Sequence, residues 1–377
     1  MAFWQREIIR SGISMTLDGT YRLDLPDHGL LGSLLLRITG REITGLGQGG
    51  GDWRIVDFLD KIEVRLNGST VCKSLSGYLC QAFATYDQGV IPPGAWRNYA
   101  TNMQSEYVLI NFGRHLFDPE MVLDLARFKD VELRITNSAE ATDFSGLGLT
   151  VVAYWLREAT TPALGGYMRT EEWRSWATVS DETKYLVLPV EYPIRRVCLQ
   201  AVPAVDGSYV EKTGMHNLMD DVKLALDTGQ ILLWDGSIED LIRDNFLDFG
   251  KEYIVTGSHY MTADKGVRVD LGYVLGGAWG AGSQDGAGAA TIPTMETGRT
   301  SFTQKPETYE ADSPIGFIFK GLAPFETALF RFDHDKNPAS WLDPRARASV
   351  ELNIHTREHA DAVDGANTVA LDRFVRY

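Results

Sequence analysis

His115 to Ile135 reads HLFDPEMVLDLARFKDVELRI, and His334 to Ile354 reads HDKNPASWLDPRARASVELNI. At a constant offset of 219 residues, eight of the twenty-one aligned positions are identical: His115/His334, Pro119/Pro338, Leu123/Leu342, Asp124/Asp343, Val131/Val350, Glu132/Glu351, Leu133/Leu352 and Ile135/Ile354. Ordinary residue frequencies of roughly 5–10% predict about one or two such matches by chance. The chain is therefore internally duplicated and has to be read as two related halves. What the copies share is a turn proline, a Leu-Asp pair and an alternating Val-Glu-Leu-x-Ile, the pattern of a chain that turns a corner and re-enters a sheet.

The duplication extends outward from this stretch. Leu25-Pro26 falls on Leu188-Pro189 at an offset of 163, and Phe58 to Val71 (FLDKIEVRLNGSTV) falls on Leu218 to Ile231 (LMDDVKLALDTGQI) at an offset of 160. Period-two alternation around Tyr21, Leu23 and Leu25, and again through Leu34, Leu36 and Ile38, reads as half-buried strands. Asn67-Gly68 and Asp227-Thr228-Gly229 supply hairpin turns. A helical spacing follows each hairpin, at Tyr78, Leu79, Ala82 and Phe83, then at Ile238, Leu241, Ile242 and Phe246 behind Ser237 as N-cap. Each half closes on another strand, Thr150 to Arg157 and Thr368 to Val375.

The rise in offset from 160 to 219 puts an insertion of about sixty residues between helix and repeated stretch in the second half, within about 250–314. It includes the run GGAWGAGSQDGAGAA, with Gly276, Trp279, Gly282 and Asp285, too poor in large side chains to bury much surface, and reads as an exposed loop. Residues 1–16 read as an N-terminal arm whose Phe3, Trp4, Ile8 and Ile9 suit a short amphipathic helix or a terminal strand. The first domain is expected over 17–160, a linker packed down by Trp173 and Trp176 over 161–182, and the second domain over 183–377. Short alternating strands with one helix per half, and no alternating βα units, predict an all-β chain of two tandem antiparallel sandwiches; eight strands per half would make them jelly rolls.

The bulk numbers restrict function. With 377 residues, 44% of them hydrophobic and 23% charged, the chain can bury two cores. A net charge of −15 without a basic patch disfavours direct nucleic-acid binding. Cys72, Cys80 and Cys198 lack metal-ligand spacing and read as buried thiols of a reducing compartment. MAFWQREIIRSG lacks the continuous apolar core of a signal peptide, and no apolar run is long enough to span a bilayer.

Three motifs match by letter and fail by context. Gly45-Leu46-Gly47-Gln48-Gly49-Gly50 is followed by strand pattern where a dinucleotide fingerprint needs a helix N-terminus. His355-Thr356-Arg357-Glu358-His359 follows a strand, whereas the zinc-peptidase pattern needs both imidazoles on one helix face. Asp333-His334-Asp335-Lys336-Asn337 begins like a calcium loop, but Pro338 stands where glycine is required. Neither a serine nor a cysteine nucleophile is framed, so no enzymatic activity, metal or cofactor is expected.

Two tandem jelly rolls, each with one helix, resemble the double jelly-roll major capsid proteins of tailless icosahedral viruses, the lineage that includes the adenovirus hexon. The resemblance covers about Tyr21 to Tyr377 and lies in layout rather than in a short motif. It implies homotrimeric, pseudo-hexagonal capsomers in a virion shell assembled after synthesis in a host cytoplasm, with neighbouring capsomers and minor capsid proteins as partners. It also implies that Phe3, Trp4, Ile8 and Ile9 lie on the inner face, with an internal lipid membrane as a candidate contact, and that the 250–314 insertion is an outward tower. The alternative is a glycan-binding or glycan-cleaving double jelly roll, with Trp53, Trp173, Trp176, Trp234 and Trp279 lining a groove.

Overall fold

The computed structural model describes residues 2–43, 54–98, 103–158, 165–202, 214–260, 267–268, 271, 274–281, 299–300, 314–334, 337–357 and 365–377. The first half is built from β1 (Phe3–Met15), β2 (Gly19–Asp24), β3 (Leu30–Glu42), β4 (Lys61–Leu66), β5 (Thr70–Leu75), α1 (Gly77–Gln88), β6 (Met103–Asn111), β7 (Val131–Asn137) and β8 (Phe144–Arg157). These strands form two sheets ordered β1-β8-β3-β6 and β2-β7-β4-β5, the two four-stranded faces of a jelly roll.

The second half repeats it. β9 (Gly166–Ala177), β10 (Thr183–Val187), β11 (Ile194–Val202), β12 (Met219–Leu226), β13 (Ile231–Ser237) and α2 (Ile238–Phe249) are followed by an inserted sheet of β14 (Tyr253–Tyr260), β15 (Val274–Ala281) and β16 (Pro314–Gly321). The roll then closes with β17 (Thr327–Arg331), β18 (Val350–Thr356) and β19 (Ala366–Arg376). Its sheets run β9-β19-β11-β17 and β10-β18-β12-β13, matching the first roll position by position.

Local chemistry repeats with the topology. Ser76 and Ser237 cap the two helices, accepting from the amides of Leu79 and Asp240, and each helix ends on a left-handed glycine, Gly89 or Gly250. The hairpins between β4 and β5 and between β12 and β13 turn through positive φ at Asn67 and Gly68, and at Asp227, Thr228 and Gly229. Within each sandwich alternate residues of the facing sheets make the core. Leu34, Leu36 and Ile38 lie in one cluster with Ile62, Val64 and Leu133, and Val197, Leu199 and Ala201 lie in the other with Val222, Leu224 and Leu352. The stretch that discloses the duplication is the connection from β6 into β7 and from β17 into β18, so the shared Val-Glu-Leu-x-Ile is the re-entering strand in both rolls.

Three sequence boundaries move. The N-terminal segment is neither a helix nor a separate arm. It is strand β1, paired antiparallel with β8 from Phe3/Arg157 to Met15/Leu147, and it belongs to the first roll. The stretch expected as a linker carries β9, which occupies the same place in the second roll and pairs with β19 along its length. Most of the described part of the insertion is sheet: β16 pairs with both β14 and β15. Strand periodicity was hidden in β1 and β9 by bulges, between Ile8 and Arg10 and between Glu172 and Arg174, each of which puts two consecutive residues against one partner position.

Candidate assembly surfaces

The two rolls meet along one polar and one apolar seam. Strand β5 of the first lies parallel to β9 of the second, Lys73 beside Thr170 and Ser74 beside Glu171, and this joins the sheets of different rolls into one of eight strands. Lys73 Nζ donates to Thr170 Oγ1 (2.6 Å), which donates to Asp372 Oδ1 (2.9 Å). The other oxygen of Asp372 accepts from Arg196 Nη2 (2.8 Å) and Arg195 Nη1 (3.2 Å). Asp87, near the end of α1, reaches the same two guanidiniums at 2.9 and 3.2 Å. All five ionic groups are buried or nearly so, and removal from water is affordable because each faces an opposite charge. Burial works against ionisation of Asp372, yet Arg196, Arg195 and Lys73 prevail and hold its carboxyl below the usual range. Burial pushes the Lys73 ammonium down, opposed by Asp372.

Alongside, Tyr86 donates its hydroxyl to the Thr327 carbonyl (2.9 Å), and Arg196 stacks on Phe83 at 5.0 Å. Cys198, Leu329 and Ala370, from the outer face of β9-β19-β11-β17, join the first roll's core cluster. Helix α1 is thereby buried from Leu79 through Tyr86, whereas its counterpart α2 buries only Ile238, Leu241, Ile242 and Asn245.

Among the described residues, the matching surfaces at the two outer ends of the pair are open. β13, the counterpart of β5, is a sheet edge with Ile231, Leu232 and Leu233 exposed, and Leu247 on α2 is 77% exposed. β1, the counterpart of β9, is the other edge, with Phe3 and Ile8 exposed. Unpaired apolar edge strands of this kind are places where another chain can add.

The other sequence candidates fall as follows. Trp4 packs over Gly32 and against Phe117 (5.4 Å), and Ile9 packs on the first core. Gly276 and Trp279 lie in β15, while Gly282 and Asp285 lie outside the described residues. Trp173, Trp176 and Trp234 are partly buried against the second core, and Trp53 is outside the described residues. His355 is on strand β18 facing Thr183 (3.1 Å); His359 and the glycines from 45 to 50 are outside the described residues. The duplicated His115 and His334 line one cleft of about 650 Å³ between the rolls. Among the described residues no three His, Cys, Asp or Glu side chains are placed to hold a metal ion, and no helix is long and apolar enough to cross a membrane. Sequence reasoning missed the junction ions, although Arg195-Arg196, Lys73 and Asp372-Arg373 stand as charges inside otherwise apolar strands.

No protein-family model matches the chain, and no curated protein does. Solved structures do. The major capsid protein of Sulfolobus turreted icosahedral virus aligns with a TM-score of 0.60 at 11% identity, over 99% of this chain and 97% of that one. A chain of the PBCV-1 virus capsid aligns at 0.57 and 10% identity, covering 99% and 94%. The major capsid protein P2 of bacteriophage PM2 aligns at 0.51 and 11% identity, covering 99% and 98%. At such identities the likeness establishes the shared fold, a double jelly roll along nearly the whole chain.

Proposed function

We propose that this double jelly roll is the shell-forming subunit of an icosahedral virus, working as a trimer whose six rolls give a pseudo-hexagonal outline. The observation that carries the reading is the duplication itself: one chain holds two copies of a sandwich, joined by one buried junction, with the two counterpart surfaces of that junction left open. If every junction turns the path by one sixth of a circle, three chains close a ring of six rolls, and a threefold particle tiles a hexagonal lattice. The matched structures are those of major capsid proteins and of a virus capsid, which supports the same role.

The inserted sheet and its neighbouring segment, with Gly276, Trp279, Gly282 and Asp285, would form the outward tower. Neighbouring capsomers and minor capsid proteins are the partners such a subunit meets, and of the proposed inner-face residues Phe3, Trp4, Ile8 and Ile9, Phe3 and Ile8 are the two left exposed. Shell subunits act by burying surface, which agrees with the chain's work being done at junctions. For the glycan reading, Trp173, Trp176 and Trp234 each commit part of their surface to the second core.

Negative-stain microscopy of purified protein tests the proposal. Shells, or particles of three chains with a six-lobed outline, are expected; a uniform population of isolated two-lobed particles at micromolar concentration overturns it.

A further inference from the structure

We infer that the junction between the two rolls is copied between chains: β13 and α2 of one subunit dock on β1 and the outer face of the β1-β8-β3-β6 sheet of the next, head to tail. This rests on the shell-subunit reading and specifies the partner surface, a second copy of this chain.

The internal repeat sets the register. Ser76 and Ser237 cap equivalent helices at an offset of 161, and the same offset carries Lys73 to Trp234 and Tyr86 to Leu247. Both hairpins have a register shift at the equivalent place, between Val64 and Arg65 and between Leu224 and Ala225. On the receiving side Thr170 stands opposite Asp372 and Arg6 opposite Tyr154, with Asp372 and Tyr154 equivalent strand positions at an offset of 218. The intrachain pairs Lys73/Thr170 and Ser74/Glu171 therefore become Trp234/Arg6 and Asp235/Glu7 between chains, in the same parallel sense.

Chemistry on the two surfaces is complementary. Facing outward from the receiving sheet are Arg6, Arg37 and Arg41 beside Ile8, Leu35 and Tyr107; the registers put Arg6 opposite Tyr154, Arg37 opposite Thr150 and Tyr107, and Arg41 opposite Met103. Arg6 and Arg37 have no ion-pair partner among the described residues, in a chain of net charge −15. On the docking side, Asp240, Asp244 and Asp248 recur every fourth residue along α2 around the exposed Leu247; Arg243 lies 3.7 Å from Asp240, and Asp248 is paired with Arg331 of its own chain (2.9 Å). Among the described residues Asp244 has no ion-pair partner and Trp234 Nε1 is buried without an acceptor. The acidic helix and basic sheet have the same polarity as the intrachain junction of Asp87 with Arg195 and Arg196, although other positions carry the charges, since Arg195 and Arg196 correspond to Gly32 and Ser33. The one like-charged pair in the register, Asp235 with Glu7, is already neutralised within each chain by Lys223 and Arg157. A head-to-tail contact of this kind closes into a ring or runs on as a filament.

The test is a full-length chain carrying Glu7→Cys and Asp235→Cys, both at exposed positions, with the native cysteines buried. Neighbouring strands stand about 4.8 Å apart, within the roughly 4.4–6.8 Å between Cα atoms that a disulfide spans. Mild oxidation is expected to give a reducible covalent trimer on denaturing gels, and neither single variant should go beyond a covalent dimer. Arg6→Glu with Arg37→Glu is expected to weaken assembly at least tenfold, and Asp240→Arg with Asp244→Arg in the same chain to restore part of it. A native-sized trimer that does not cross-link overturns the docking and leaves the capsomer reading standing; a protein that is monomeric before oxidation overturns both.

Discussion

Asp372→Asn is the sharpest perturbation of the roll-to-roll junction. The substitution keeps shape and removes one negative charge at a carboxyl that accepts from Thr170, Arg195 and Arg196 and faces Lys73. Asp87 then remains as the shared counter-ion of Arg195 and Arg196, and the Arg196 side chain is only 3% exposed, so water cannot replace what is lost. Breaking one partner of a buried ion pair costs about 3–5 kcal/mol. We take the lower figure, about 3 kcal/mol, because Asp87 and Asp333 stay near, and this is on the order of a hundredfold in the unfolding equilibrium. The assay is urea denaturation followed by tryptophan fluorescence and by far-UV circular dichroism. Exposed Asp343 and Arg345 provide the control: Asp343→Asn removes an equally short contact (2.6 Å) and is expected to cost no more than about 1 kcal/mol. If Asp372→Asn matches the control, the junction is not held by its ions and the reasoning fails.

Further outcomes follow from the same structure. Burial raises the thiols of Cys72 and Cys198 to about 12 and that of Cys80 in the same direction, so native protein at pH 8 should give no colour with a disulfide reagent and three thiols per chain after unfolding. Asp372, Asp333 and Asp118 have folded-state values below their unfolded ones despite burial, held down chiefly by Arg196, by Arg195 and by Arg114 respectively. Their contribution is complete above the unfolded carboxylate range near 4 and is lost as pH falls through the depressed folded values; a urea midpoint unchanged between pH 5 and pH 2 would contradict this. Ser237→Ala removes the cap of α2 and is expected to cost about 1 kcal/mol, read as a fall in the urea midpoint.

Much of the architecture was legible because a jelly roll announces itself through local chemistry. The Asn67-Gly68 and Asp227-Thr228-Gly229 turns, the Ser237 cap and the alternating Val131 to Ile135 all act within a few residues, and each has the conformation its sequence predicts. The first strand of each roll was less legible: residues 1–16 suited a terminal strand as well as a helix, and β9 fell in the expected linker. In β1 the bulge near Ile9 sets Phe3, Trp4, Ile8 and Ile9 at a spacing that imitates a helix, and in β9 a bulge disturbs the alternation around Trp173. The insertion's glycines argued for a loop, yet Gly276 and Trp279 sit in a strand because β16 offers both its edges for pairing. The junction escaped because its ions come from positions 73, 87, 195, 196 and 372, a combination only the fold brings together. Arg195-Arg196 opening a strand of buried residues was the available signal, since buried charges in a strand require partners.

Multi-angle light scattering on the protein eluting from a size-exclusion column tests the central claim most directly, because a mass needs no assumption about which faces meet. One species at three times the chain mass is expected, persisting on dilution to the micromolar range. A stable species at the mass of one chain would contradict it.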